Sequence, residues 1–128
     1  MSHDAYQSYQ STHLNAQTAQ ASPVQLVLVL MDGLLDELAR SRAHIEARRF
    51  EMKARSLEKC VGILNGLSSA LDMDSGGEVV HNLARLYDYS AQRLFKAGID
   101  MDLVPVDEVV RLMTQIRGGW QGVQARHG

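Results

Sequence analysis

Glu78 and His81 stand three residues apart. This is the Glu-x-x-His spacing with which di-iron carboxylate bundles hold their metals. On a helix it puts a carboxylate and an imidazole on one face. Such sites need two of these motifs and two further inward glutamates, and here only one motif is present. Glu78 also has a simpler role as a partner in helix capping. A metal-carboxylate enzyme therefore stays an alternative and not the leading reading. Asp72-x-Asp74 with Gly77 resembles the start of a calcium loop. Its twelfth position is Leu83, where a bidentate Glu is required, which excludes it. No glycine loop for phosphate is found. No Ser and His are spaced as a nucleophile and its base. Cys60 is the only cysteine. It lies beside the apolar stripe of its helix and reads as a buried thiol rather than a reactive one. No catalysis and no cofactor are expected.

Arg40, Arg42, Arg48, Arg49, Lys53, Arg55 and Lys59 form a basic cluster. Asp36, Glu37, Glu46, Glu51 and Glu58 interleave with it. This pattern describes a solvated face laced with intrahelical ion pairs rather than a nucleic-acid surface. The whole chain has 13 basic and 15 acidic residues and a net charge of −2. It offers no field to gather nucleic acid or an anionic membrane. The longest apolar run, Leu26–Met31, is far short of the roughly 20 residues that span a bilayer. With no apolar core of a signal peptide near the start and a single cysteine, a reduced cytoplasmic setting is expected.

The elements that hold these residues are helices. A chain of 128 residues is one domain in size and can bury a core without disulfides. Two Pro, four Tyr, two Phe and one Trp are few for a sandwich or barrel. Residues 1–21 are rich in Ser, Gln, Thr and Ala and read as a flexible arm, with residues 22–128 as the bundle. Ser22-Pro23-Val24-Gln25 is a capping box with proline at the first helical position. Helices are expected at about 22–45, 50–71, 76–97 and 103–124, the third opened by a second capping box, Ser75 and Glu78. Gly98 suits a left-handed cap at its end. Val106, Val109, Met113, Ile116, Trp120 and Val123 make an unbroken three-four series on the fourth helix. Gly118-Gly119 should fray its last turns. Short turns between long amphipathic helices give an all-α, antiparallel up-down four-helix bundle.

Apolar residues remain after each helix has given one stripe to the core. On the first helix that stripe is Val27, Leu30, Leu34 and Leu38. Leu28, Met31 and Leu35 form a second ridge beside it. Either the core is wide, or the ridge belongs to a groove for a partner's amphipathic helix. On the second reading a charge at Met31 would abolish binding and spare the fold. Tyr6 and Tyr9, also three apart, would share one face if the arm makes a helical turn.

Ala5-Tyr6-x-x-Tyr9-Gln10, Ala21-Ser22-Pro23-x-x-Leu26 and Leu30-x-Asp32-Gly33 follow one another in an order that resembles the flagellin export chaperones of the FliS family. The resemblance continues through Leu67-x-x-x-Leu71-Asp72, Gly76-Gly77-Glu78, Asn82-Leu83-x-x-Leu86-Tyr87-x-Tyr89, Arg93-Leu94-x-x-Ala97 and Trp120. It departs at Met31, where the family commonly has an aromatic, and at Gly118-Gly119. What it implies is a cytosolic bundle that binds the disordered C-terminal region of flagellin and blocks premature polymerisation. Tyr6, Tyr9, Leu28, Met31 and Leu35 are then the expected partner-binding residues. Other flagellar export components, a homodimer, and a self-associating structural bundle stay open.

Overall fold

The structure is a computed structural model and describes residues 22–127. The arm expected at residues 1–21, with Tyr6 and Tyr9, lies outside the described residues. The described residues form four helices: α1 (Pro23–Glu46), α2 (Phe50–Ser69), α3 (Gly77–Asp100) and α4 (Leu103–His127). They pack as an antiparallel bundle. α1 and α3 each lie against both α2 and α4, so α1 and α3 are diagonal partners. No helix among the described residues is long and apolar enough to cross a membrane.

Each helix has a local reason to start and stop. The Gln25 N–H donates to Ser22 Oγ at 3.2 Å, and the Ser22 N–H donates to Gln25 Oε1 at 2.7 Å. This closes the capping box and satisfies two otherwise orphaned donors. α1 ends in a Schellman turn: the Arg49 N–H reaches the His44 carbonyl and the Arg48 N–H that of Ile45. Arg48 occupies its left-handed position, φ 57°, where glycine is the usual residue.

The α2–α3 connection differs from expectation. Ser75 does not cap α3. Its hydroxyl donates to the Asp72 carboxylate, which also accepts from the N–H groups of Asp74 and Ser75. Asp72 thus organises the turn by itself, and Glu78 is left exposed. Gly77 sits at φ +69°, and a Cβ on Gly76 would run into the Val80 side chain and the Asp72 carbonyl. Both glycines are needed by this turn.

α3 also runs past Gly98 to Asp100, and Met101, not Gly98, takes the left-handed position at φ 52°. Gly98 instead admits a close approach: a Cβ there would stand 2.9 Å from Leu57 Cδ1 of α2. α4 continues through Gly118-Gly119 to His127 without a break. Ile116 and Trp120 pack against the core on either side of that pair, and this packing outweighs the glycine penalty.

The core repeats in steps of three and four. α1 contributes Val27, Met31, Leu34, Leu38, Ser41 and Ile45, and α2 contributes Leu57, Cys60, Leu64 and Leu67. α3 adds Tyr87, Ser90, Leu94 and Ala97, and α4 adds Val106, Val109 and Met113. This is a heptad seam of the kind that keeps near-parallel helices facing one another. On α3, Val79 is 68% exposed and Tyr87 is in the core.

Candidate partner-binding groove

The four helix–helix faces are held differently. Across α1 and α4, Arg42 Nε donates to Asp107 Oδ1 at 2.8 Å, and Arg117 Nε to Asp32 Oδ1 at 2.6 Å. Across α3 and α4, Glu108 accepts from Arg93 Nε at 2.6 Å and from the Tyr89 hydroxyl at 2.7 Å. The Tyr89 and Arg93 hydrogen bonds hold the Glu108 carboxyl below its ordinary pKa.

Between α1 and α2 a polar chain is buried in the core. Ser56 Oγ donates to a Glu37 carboxylate oxygen, Ser41 Oγ lies 2.7 Å from Ser56 Oγ, and Cys60 Sγ lies 3.6 Å from Ser41 Oγ. Ser56 has one proton, so giving it to Glu37 makes Ser41 the donor to Ser56. Arg40 covers the other Glu37 oxygen at 3.1 Å. Every buried polar side-chain atom among the described residues has a partner. Burial raises the Cys60 thiol to about 12, which keeps it protonated and unreactive.

The α2–α3 face is open and apolar. A groove of about 420 Å³ runs between the two helices. α2 lines it with Ala54, Leu57 and Val61, and α3 with Leu94, Phe95, Gly98 and Ile99. Its concavity follows from residue size, because Ala54 and Gly98 carry little or nothing beyond the backbone. Phe95 and Ile99 are one turn apart on α3 and form its wall, 71% and 66% exposed. Lys53 and Glu58 are the charged residues of its lining. Lys53 Nζ donates to the Gly98 carbonyl at 2.8 Å. That carbonyl belongs to the last turn of α3, where no intrahelical donor exists, so Lys53 caps α3 from the neighbouring helix.

The expected ridge on α1 is not a free surface. Met31 is 0% exposed and sits in the core, Leu28 is 9% exposed, and Leu35 is half-buried against the same cluster. The expectation that Met31 tolerates a charge is therefore corrected. The physical reason is the seam: Val27, Met31, Leu34 and Leu38 face inward together, and α1 is wedged between α2 and α4. Leu103 and Val110 of α4 are also partly buried against the core, so the ridge on α1 belongs to a wide core. Exposed large apolar side chains stand elsewhere, Phe50 and Met52 on α2, Val79, Phe95 and Ile99 on α3 and Val104 on α4, and of these Phe95 and Ile99 line the groove. Phe95 and Ile99, spaced by four just off the Leu94–Ala97 seam, carried that signal in the sequence.

Among the remaining candidates, Glu78 and His81 are both exposed at the start of α3. Among the described residues no three His, Cys, Asp or Glu are grouped to hold a metal. The basic cluster is interleaved as the pattern implied, with Arg55 on Glu51 and Arg42 on Glu46, each one helical turn apart.

The described residues thus form an antiparallel four-helix bundle with an apolar groove along the α2–α3 pair. Residues 5–127 match the family model described as "Flagellar protein FliS". The chain is 38% identical to a flagellar secretion chaperone FliSB of Pseudomonas aeruginosa over 93% of its own length and 94% of that protein's. It is 33% identical to the flagellar secretion chaperone FliS of Salmonella typhimurium, over 93% and 89% of the two chains. With that of Escherichia coli it shares 35% identity over 90% and 85%. This chain belongs to the FliS family of flagellar secretion chaperones, which are not enzymes.

Proposed function

We propose that this protein is a cytosolic export chaperone that binds the disordered C-terminal region of flagellin, prevents its premature polymerisation and keeps it competent for export. The α2–α3 groove is the seat of that partner. The observation that carries the reading is the exposure of Phe95 and Ile99 beside a trough narrowed by no large side chain at Ala54 and Gly98. An amphipathic helix laid there would remove this apolar surface from water. Each large side chain so covered contributes about 1.5–3 kcal/mol. Part of that is offset by ordering a disordered segment as it binds. Membership of a family of secretion chaperones supports the same reading.

The test is co-purification with the C-terminal segment of the flagellin from the same genome, followed by a size measurement with and without that segment. A defined complex is expected. A chain that assembles only with itself and ignores the segment would favour the self-associating bundle.

A further inference from the structure

The groove carries two charged residues, and they are placed unequally. Lys53 and Glu58 both come from α2. They are five residues apart, a rise of about 7.5 Å along the helix. Lys53 is half-buried, while Glu58 is exposed. The Lys53 ammonium has three donors, and the structure gives one of them an acceptor, the Gly98 carbonyl at 2.8 Å. The same contact fixes the ammonium at the end of the groove where α3 finishes. The other lining residues are apolar or glycine.

A helix lying in this trough can run in either of two directions, and an apolar floor does not choose between them. We infer that Lys53 and Glu58 set the direction, with Lys53 taking a carboxylate of the bound helix and Glu58 a cation about 7.5 Å further along. This rests on the groove being the flagellin seat. In the reversed direction the same helix would set like charges against each other at both positions. Charges at an interface act in this way, fixing register and orientation more than they add affinity. Covering the groove with a helix also removes water from around Lys53, which strengthens its pairing and raises the penalty for a mismatch.

The test is binding of the flagellin C-terminal segment to the Lys53→Glu/Glu58→Lys double variant, at low and high salt. Thermal melting confirms that the variant is folded, and Lys53→Gln, which keeps a donor for Gly98, serves as a control. Roughly tenfold weaker binding at low salt is expected, shrinking as salt rises. Restoration is expected when the acidic and basic residues of the segment's bound helix are exchanged. The exchanged segment should in turn bind the unaltered protein more weakly, a measurement that needs no variant of this chain to fold. Affinities within about twofold in every combination would overturn the inference. Phe95→Asp separates the two claims. If it abolishes binding while the charge exchanges do nothing, only the direction is wrong. If it leaves binding intact, the groove reading falls and this inference with it.

Discussion

Ser56 of α2 donates its hydroxyl proton to the carboxylate of Glu37 on α1, at one end of the buried polar chain between the two helices. Glu37 is 4% exposed, and its other oxygen is occupied by Arg40. Burying an acidic side chain this deep is costly unless both oxygens are hydrogen-bonded. Ser56→Ala removes one donor and leaves the rest of the chain, Ser41 and Cys60, without its onward acceptor. The variant is expected to lose about 1–3 kcal/mol of stability, read as a lower midpoint in urea with an unchanged slope. An unchanged midpoint would show that water replaces the hydroxyl at no cost.

Met31 tests where the core ends. It is fully buried between Val27 and Leu34 on the inner face of α1. Met31→Ala should cost about 2–5 kcal/mol, and Met31→Glu should prevent cooperative folding, because the carboxylate would have no partner inside the seam. Circular dichroism and thermal melting check both. A folded Met31→Glu protein with a near-normal melting temperature would mean that the inner surface of α1 opens readily.

Arg48 holds a left-handed conformation at the end of α1, and its guanidinium lies over the Phe50 ring at 5.3 Å. The ring contact offsets part of the backbone strain. Arg48→Gly relieves the strain and forfeits the contact, for a net gain of about 0.5–1 kcal/mol. A rise in melting temperature of a few degrees is expected. A fall would show that the ring contact dominates.

Two carboxyls give the fold an acid-sensitive component. The Ser75 hydroxyl, aided by backbone N–H groups, holds the Asp72 carboxyl below its ordinary pKa, and the Tyr89 hydroxyl and Arg93 do the same for Glu108. A depressed folded pKa means that the stabilisation is fully present above the unfolded value. It is lost as pH falls through the folded one. Melting temperature should therefore be flat near neutrality and drop below about pH 4. The gap between the unaltered protein and Glu108→Gln should shrink over the same acid range. A gap that stays constant down to pH 3 would show that the Glu108 clasp between α3 and α4 contributes through shape and not charge.

Much of the fold is legible in the sequence. Ser22, Pro23 and Gln25 announce the start of α1 because capping is local chemistry. The α4 series from Val106 to Val123 is already in heptad register. The groove is legible only in part: Phe95 and Ile99 stand off the seam in the sequence, but which helices become neighbours, and how closely Gly98 lets Leu57 approach, is set by the fold. On α1 a stripe through Leu30 and one through Met31 share Val27, Leu34 and Leu38, so spacing alone does not choose between them, and packing between α2 and α4 puts Met31 inside. The second capping box failed for another reason. Ser75 has a nearer acceptor in Asp72, and a hydroxyl with one proton serves the partner the turn brings to it.

The central claim is that the α2–α3 groove binds the flagellin C-terminal segment, and Phe95 tests it most directly. Its side chain is largely exposed and forms the groove wall, so Phe95→Asp should leave the melting temperature within a few degrees. Buried against a docked helix, the new carboxylate would be unpaired and desolvated. Titration calorimetry with the segment should show binding weakened by at least about 100-fold. A folded Phe95→Asp protein that binds the segment with undiminished affinity would contradict the account and place the partner on another face.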